Sequence, residues 1–398
     1  MSGPALTERA ARLRLSLICE PGDPRLPALL AELQPADLVE RIQAGRMVGG
    51  RRLPSNWVAA AQNIESEVEH ARQLADVAGL RWIVPSDGAW PDPLNDLDHA
   101  LTSGGATGAP LGLWVRGKGS LAGLVENSVS IVGARDCTAY GAEQAAEIAA
   151  DAGSAGFTVV SGAAFGIDAC AHRGALAVLT PTIAVLACDA ATSYPRAHAA
   201  LLERIAEEGL VVSEQPPGRA PTKARFLTRN RLIAALTAGT VVVEARRRSG
   251  ALNTLAWADQ LGRATMAMPG PVTSQLSVGT HEAIRDGKAM LVTTGPEVIA
   301  ALGGLAIPSP APAESRGADT AFDALTTEQA RVLDALEWST PFSVSTVAGR
   351  AKLGQTATER ALHVLHDGGW AARDDLGRWR LVRRADLEQP SGARTVGE

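Results

Sequence analysis

Cysteines and long apolar runs are scarce in this sequence of 398 residues. The four cysteines lie far apart and form no C-x-x-C pair, which argues against a disulfide framework or a zinc site and fits a reducing compartment. No apolar run reaches membrane-spanning length, and residues 1–10 lack the apolar core of a signal peptide. We therefore predict a cytoplasmic protein without membrane contact, metal or cofactor.

The sequence also lacks an excess of positive charge. It has 38 Lys and Arg residues against 43 Asp and Glu residues, and its formal net charge at pH 7 is −5. This balance excludes a uniformly basic nucleic-acid-binding protein, although a local cationic patch can still bind phosphate on an acidic chain. The positions of the arginines therefore matter more than their number.

What the sequence does contain is a regular alternation of short apolar runs and helical segments. Continuous apolar strands separated by helices indicate a mostly parallel sheet that is covered on both faces. The predicted fold class is α/β, with a doubly wound Rossmann-like sheet whose ligands bind beyond the carboxyl ends of the strands. The apolar runs lie at residues 129–132, 158–160, 182–186, 210–212, 240–243, 264–268 and 290–292.

Changes in composition divide the chain into domains. Apolar residues recur at helical spacing before residue 85, prolines and alanines are frequent after residue 303, and three helical segments precede a predicted hairpin near the end. The predicted domains are a helical N-terminal domain (1–84), an extended Rossmann-like domain (85–303), a Pro/Ala linker (304–322), a winged-helix domain (323–384) and a loose tail (385–398).

For the predicted winged helix, two roles stay open. The second helix of its helix-turn-helix could place polar side chains in a DNA groove. The exposed charge there is mixed, which favours a protein-interaction module instead. The side chains available for either role are Arg350, Lys352, Gln355, Thr356, Thr358, Glu359 and Arg360.

Two motifs follow the first two core strands directly. Gly133 permits a sharp turn, and Arg135 then stands at a carboxyl end of the sheet, where a guanidinium suits a phosphate. The loop from Ser161 through Gly162 and Gly166 opens a helix, and free N–H groups at such a start can hold an anion. The alternatives are an arginine that pairs within the fold and, in the loop, helix capping by Asp168.

Residues 221–231 combine cations with one of the five phenylalanines of the chain. A single DNA strand needs positive charges for its phosphates and a flat aromatic face for a base. The sequence predicts a helix over 226–238, so that cations would lie at a helix start, where an anion is favoured. The alternative is a solvated basic loop with a core phenylalanine. The candidate residues are Lys223, Phe226, Arg229, Asn230 and Arg231.

Three consecutive arginines, residues 246–248, follow the fifth core strand, and Ser249 and Gly250 then open another helix. Such a charge run is often solvated surface. Here it shares the predicted sheet edge with Arg135 and with residues 223–231, which favours a common anion-binding site.

Motifs for catalysis are missing. The sequence has no G-x-G-x-x-G with a ribose-binding acid and no G-x-S-x-G elbow, and Gly119 occupies the position where a P-loop needs Ser or Thr. We therefore predict no catalytic site and no enzyme.

Together, and in this order, the motifs resemble the DprA/Smf family over residues 85–299. The resemblance rests on residues 131–135, 140–141, 161–168, 171–172, 194–195, 213–214, 216–218, 226, 229–231, 244–245, 249–250, 269–271, 277 and 279. It implies a homodimer without catalytic activity that binds single-stranded DNA and helps to load the RecA recombinase during DNA uptake or recombination. It also implies a DNA pocket that uses Arg135, Lys223 and Phe226, with Arg229, Asn230 and Arg231 near it.

An alternative on the same kind of scaffold is a nucleotide-processing hydrolase that resembles the lysine-decarboxylase-like phosphoribohydrolases. Their proline-glycine-glycine-x-glycine-threonine loop is missing here, and residues 269–271 do not replace it. The chain also departs from the DprA/Smf pattern at residues 188–193, where Asp189 stands in place of the usual glycine. We expect this loop to be reshaped, and a negative charge near the DNA rim to weaken binding.

Overall fold

The computed structural model describes residues 6–100, 107–303 and 325–382. The chain divides into two compact units, Met1–Ile307 and Pro308–Glu398. The predicted linker at 304–322 and the predicted tail at 385–398 lie outside the described residues. A further division of the first unit at residue 84 stays a prediction.

The described N-terminal residues form five helices. Thr7 caps the first by accepting a hydrogen bond from the Ala10 backbone, and Gly79 ends the fifth in the left-handed conformation. Leu38 and Trp57 belong to the same buried cluster as Val211 of the sheet, so the helices share a core with the sheet. Their bounds are α1 Glu8–Ile18, α2 Leu26–Glu32, α3 Pro35–Gln43, α4 Ser55–Ala61 and α5 Ile64–Ala78.

A nine-stranded sheet runs through the described part of the first unit. Its strands are apolar and mostly buried. The strands are β1 Arg81–Ile83, β2 Leu113–Gly117, β3 Ser128–Val132, β4 Thr158–Ser161, β5 Thr182–Leu186, β6 Leu210–Ser213, β7 Gly239–Val242, β8 Ala264–Ala267 and β9 Met290–Leu291. Strands β3 to β9 are parallel, and β1 and β2 are added antiparallel at the β6 side. The predicted doubly wound, mostly parallel fold is confirmed.

The strand order is β1-β2-β6-β5-β4-β3-β7-β8-β9, which places β3 beside β7. From β3 the chain proceeds through β4 and β5 to β6, and it then returns to extend the sheet in the other direction from β7. The loops that leave the carboxyl ends of β3 and β7 therefore diverge. A crevice of this kind is where open α/β sheets bind their ligands.

Helices cover both faces of the sheet. Successive residues of a strand point to opposite faces, so each face contributes side chains to a core of its own. In β3, Ile131 packs in one cluster with Ile148, whereas Val132 packs in another with Leu232. The helices are α6 Leu121–Val125, α7 Ala139–Ser154, α8 Ile167–Ala177, α9 Ala199–Glu208, α10 Lys223–Ala235, α11 Gly250–Gln260, α12 Val278–Arg285 and α13 Gly295–Ala301.

The described residues of the second unit form three helices and a hairpin around a small core of their own. Leu362 and Trp379 are buried in this core, and Thr326 begins the first helix with a capping box. This is the element order that the sequence predicts, while the winged-helix assignment stays a prediction. The elements are α14 Thr327–Asp334, α15 Val344–Ala351, α16 Gln355–Asp367, and β10 Ala371–Arg373 paired antiparallel with β11 Trp379–Leu381.

Within the described ranges, no helix is long and apolar enough to cross a membrane. The same ranges contain no group of three or more His, Cys, Asp or Glu side chains that could hold a metal ion. The four cysteines are free thiols; two of them are buried and two are half-buried.

Candidate nucleic-acid interface

A cleft of about 670 Å³ opens at the carboxyl ends of β3 and β7, where the strand order reverses. Its walls come from the loop after β3, the start of α10 and the loop between β7 and α11. The sequence alone predicts this location, because ligands of doubly wound sheets bind there. Eight of the predicted DNA-binding residues line the cleft: Gly133, Arg135, Lys223, Phe226, Arg229, Asn230, Ser249 and Gly250.

Arg135 and Phe226 form a cation–aromatic pair inside the cleft. The guanidinium of Arg135 lies 4.6 Å from the centroid of the Phe226 ring, and the ring of Tyr194 lies 5.8 Å from the same centroid. Gly133 lets the start of α8 pack closely against this loop, because a Cβ on it would lie 2.6 Å from Ile167. Arg135 is exposed and has no ion-pair partner among the described residues, so its charge is available to a bound anion.

Helix α10 begins earlier than the sequence predicts, and this changes the roles of its cations. Thr222 caps the helix by accepting a hydrogen bond from the Arg225 backbone, so the exposed Lys223 is its first residue. Arg229 and Arg231, expected at the helix start, lie in the second and third turns and are buried. Lys223 is therefore the cation that the helix start presents to the cleft.

Arg229 reaches the cleft from a buried position. Its guanidinium donates to the Val185 carbonyl and packs against Gly162, where a Cβ would lie 2.1 Å from Nη1. Burial lowers the pKa of Arg229 to about 10, and the neighbouring Asp168 carboxylate acts in the opposite direction. Arg229 thus remains a cation at neutral pH and adds positive charge to the cleft wall.

The loop between β4 and α8 binds a carboxylate of its own chain. The Gly162 and Ala164 N–H groups donate to Asp168 at 3.2 and 3.4 Å, so this carboxylate, in the first turn of α8, fastens the preceding loop. The N-cap residue of the helix is Gly166, which provides no side-chain cap, and the expected capping role of Asp168 is corrected to a bond with the loop. Burial raises the pKa of the Asp168 carboxyl. Because these N–H groups already have an acceptor, Gly162 is not a free phosphate-binding position. Gly166 has a positive φ of 75° and packs against the Ala134 and Arg135 carbonyls, outside the cleft lining.

Two other residues predicted to contact DNA are buried and have structural roles. Arg231 is 0% exposed, and its Nη2 lies 2.8 Å from both carboxylate oxygens of Glu214. Ser161 is also 0% exposed, and its hydroxyl donates to the Ile131 carbonyl at 2.6 Å. Neither lines the cleft, because β-strand and helix packing turns both side chains inward. The predicted contacts of Arg231 and Ser161 with DNA are therefore corrected to structural roles.

Asn230 and Ser249 organise the junction between α10 and α11. The Asn230 amide donates to the Gly250 carbonyl at 3.1 Å and to Asn253 Oδ1 at 3.3 Å. Ser249 caps α11 by accepting a hydrogen bond from the Ala251 backbone at 3.2 Å. These bonds hold the two helix starts side by side at the cleft.

The three arginines after β7 separate into different roles. Arg246 pairs with Asp136 at 2.6 Å, and Arg247 pairs with Glu282. Arg248 is exposed, lines the cleft and has no ion-pair partner within the described ranges. It was not among the candidate DNA-binding residues. The run of three arginines indicates a cation at this edge of the sheet, but the sequence does not show which of the three has no ion-pair partner.

His172, one turn after Asp168, is buried behind the cleft and is neutral. Its Nδ1 lies 2.8 Å from Thr182 Oγ1, whose hydroxyl already donates to the Val159 carbonyl. Nδ1 must therefore carry the hydrogen, and Nε2 has no partner among the described residues. Burial first, then His198 and Arg229, lower the pKa of His172 to about 3. This environment excludes an imidazolium at neutral pH.

The loop at 188–193 does not present the negative charge that the sequence predicts. Asp189 is 2% exposed, and its carboxylate accepts hydrogen bonds from the Ala191 and Thr192 backbone and from the Thr192 hydroxyl, at 2.8 to 2.9 Å. The Asp189 carboxylate therefore stabilises the loop in which it lies. The expected repulsion of DNA by Asp189 is corrected to a local structural role.

The fold and the cleft define a Rossmann-like α/β protein with a cationic and aromatic cleft at its topological switch point. The family model for DNA recombination-mediator protein A matches residues 81–303. A Mycobacterium tuberculosis relative described as a DNA processing protein DprA is 38% identical over 381 residues, which cover 93% of each chain. The chain therefore belongs to the DNA recombination-mediator protein A family, as its resemblance to DprA/Smf predicts.

Two comparisons with Streptococcus pneumoniae agree with this membership. Its DNA processing protein DprA is 40% identical over 183 residues, which cover 46% of this chain and 64% of that protein. The X-ray structure of DNA processing protein A from the same organism has a TM-score of 0.61 and 29% identity, and the match covers 75% of this chain and 98% of that one. The family consists of recombination mediators and not of enzymes, so the hydrolase alternative is set aside.

Proposed function

We propose that this protein binds single-stranded DNA in the cleft, with Arg135, Lys223 and Arg248 facing the phosphates and Phe226 stacking on a base. Family membership supports a role on DNA, and the observation that carries the proposal is the Arg135–Phe226 pair beside unpaired cations. Phosphate capture together with a flat aromatic face is the combination that a single strand needs. The acidic net charge of the chain does not oppose this, because the charge of the cleft itself is positive.

The proposal favours a single strand over a duplex. Phe226 and Tyr194 offer ring faces inside a concave cleft, and a base can reach them only if it is unstacked from its neighbours. The test measures fluorescence anisotropy of labelled oligo-dT and of a duplex of equal length over a series of salt concentrations. We expect tighter binding of oligo-dT and a linear fall of log affinity with log salt. Absence of oligo-dT binding at low salt would overturn the proposal.

We further propose that the protein acts as a cytoplasmic homodimer and helps to load RecA on the bound strand. The support is the resemblance to DprA/Smf proteins and the membership in a recombination-mediator family. Light scattering on the full chain gives the oligomeric state. Assembly of RecA on oligo-dT covered by a single-strand-binding protein, measured with and without this protein, tests the loading role.

For the second unit we propose a winged helix that contacts protein. Of the cations near the start of α16, Arg350 is engaged, since it pairs with Glu337 at 2.5 Å and its guanidinium lies 4.4 Å from the Phe342 ring centroid. Fewer charges are then left for a DNA groove. Lys352→Glu combined with Arg360→Glu should leave the affinity for duplex and single-stranded DNA unchanged; a marked loss would favour the DNA role instead.

A further inference from the structure

Two cysteines that are distant in the sequence meet beside the cleft. Cys137 follows the loop that carries Arg135, and Cys170 lies in the first turns of α8. Both are half-buried free thiols that pack against the same apolar cluster, and the Cys170 thiol is near enough to help raise the pKa of the Cys137 thiol. Two neighbouring thiols at partly accessible positions are a possible disulfide pair.

The segments that carry the two thiols are already fastened to each other. The Ile167 N–H donates to the Ala134 carbonyl at 3.1 Å, and a Cβ on Gly166 would lie 2.6 Å from the Arg135 carbonyl oxygen. Cys137 lies three residues after Ala134, and Cys170 lies three residues after Ile167. The two cysteines therefore lie on segments whose backbones are in direct contact.

We propose that Cys137 and Cys170 form a reversible intramolecular disulfide under peroxide, and that this bond weakens the binding of single-stranded DNA. The second part rests on the proposed function. In the first step, a thiolate attacks hydrogen peroxide, the O–O bond breaks and a sulfenic acid forms; the leaving hydroxide takes up the proton released by that thiol and becomes water. In the second step, the other thiolate attacks the sulfenic sulfur, the S–S bond forms and the S–O bond breaks; the leaving hydroxide takes up the proton of the second thiol and becomes a second water.

Coupling to the DNA site follows from the anchoring of the Arg135 loop. On one side of Arg135, Ala134 is held by the Glu244 backbone and by Ile167; on the other, Thr138 is held by the Glu244 carboxylate. A disulfide has to bring the two sulfurs together to roughly 2.05 Å, which draws Cys137 toward α8. Arg135 then shifts relative to Phe226, which belongs to a different element and does not move with it.

The other two cysteines provide an internal control. Cys19 and Cys188 are buried, and burial raises the pKa of both thiols, that of Cys188 to about 12. Burial, together with Cys170 and Glu244, also raises the pKa of the half-buried Cys137 thiol. Since the thiolate is the reactive form, oxidation of the pair should be faster at about pH 9 than at about pH 7.

The test treats the full-length protein with hydrogen peroxide, then blocks free thiols and maps peptides by mass spectrometry without reduction. We expect a Cys137–Cys170 peptide, lighter than the two free peptides by the mass of two hydrogen atoms, while Cys19 and Cys188 stay free. Dithiothreitol should restore the thiols. Absence of this peptide, or a disulfide that involves another cysteine, would overturn the proposed modification site, whether or not the protein binds DNA.

The coupling is tested with labelled oligo-dT on the same samples. Oxidation should weaken binding roughly tenfold, about the effect of losing one charged hydrogen bond, and reduction should reverse it. Cys137→Ser and Cys170→Ser should each bind as the reduced wild type does and lose the response to peroxide; Cys137→Ala serves if the serine variant does not fold. By linkage, saturating oligo-dT should slow formation of the disulfide. If oxidised and reduced wild type bind equally well, the coupling is wrong, whereas failure of both to bind overturns the proposed function itself.

Discussion

The guanidinium of Arg135 lies 4.6 Å from the centre of the Phe226 ring, although one residue follows β3 and the other lies on α10. This pair joins two walls of the cleft. It places a positive charge that has no carboxylate partner in the described structure next to the aromatic face that a base can stack on. Its geometry makes the contributions of charge and stacking separable by mutation.

Replacing Phe226 with Ala should weaken the binding of oligo-dT by about 1–3 kcal/mol, because the stacking surface for one base is lost. The slope of log affinity against log salt should stay as in the wild type, since no charge is removed. Fluorescence anisotropy over a salt series measures both quantities. A changed slope with unchanged affinity would contradict a stacking role.

Replacing Arg135 with Ala should weaken binding for every oligonucleotide sequence and lower the salt slope by about 0.7, the value for one neutralised phosphate on a single strand. Arg72→Ala is the matched control, because Arg72 is exposed on α5 and does not line the cleft. Equal losses in the two variants would mean that only overall charge matters, and the Arg135 assignment would then be wrong.

The sequence predicts the location of the cleft better than the role of each basic residue in it. Strand and helix periodicity place Arg135, Lys223 and Arg248 at one edge of the sheet, and that edge is confirmed. The predicted helix begins at residue 226, whereas Thr222 caps α10 and Lys223 is its first residue. Because the helix starts almost one turn earlier than predicted, Arg231 lies in the third turn and is buried, whereas the sequence predicts an exposed cation at the helix start.

Contacts between residues that are distant along the chain could not be predicted from the sequence alone. Two examples are the ion pair between Arg231 and Glu214 and the proximity of the Cys137 and Cys170 thiols, because only the strand order brings these residues together. The inward turn of the Asp189 carboxylate depends on three local hydrogen bonds that composition does not reveal. Such contacts are set by tertiary packing and not by local periodicity.

Removing one partner of the Arg231–Glu214 ion pair should destabilise the fold. Arg231→Met leaves a buried carboxylate without its cation, for which a cost of about 3–5 kcal/mol in the free energy of unfolding is expected. The double variant Arg231→Met with Glu214→Met should recover much of this loss, because no charge is then left unpaired. Urea denaturation measures the stabilities. Weaker oligo-dT binding by Arg231→Met at unchanged stability would return Arg231 to the DNA-contact set.

Asp189 should affect the stability of its loop and not the electrostatics of DNA binding. Asp189→Ala removes the acceptor of three hydrogen bonds, and the two backbone donors lose their partner, so we expect a loss of about 1–3 kcal/mol in the free energy of unfolding. The salt dependence of oligo-dT binding should not change. Clearly tighter binding by the variant would show that the carboxylate repels DNA after all.

His172 should make the fold sensitive to mild acid. Its folded-state pKa, lowered by burial to about 3, lies below the ordinary value of 6.5. Below pH 6.5 the unfolded chain therefore binds a proton that the folded protein excludes, and stability falls with pH until the pH reaches the folded-state value. Between pH 7 and pH 5 this amounts to about 2 kcal/mol in the free energy of unfolding.

The measurement is urea denaturation of the wild type and of His172→Gln across that range. The variant lacks the titrating group, so its stability should fall less steeply from pH 7 to pH 5 than that of the wild type, whatever its absolute stability. His70→Gln, at an exposed position on α5, should keep the wild-type pH dependence. Parallel curves for wild type and His172→Gln would mean that the imidazole takes up a proton over the same pH range in the folded and unfolded protein. That result would contradict the neutral Nδ1–H form, in which the ring donates to Thr182 Oγ1 and leaves Nε2 without a proton.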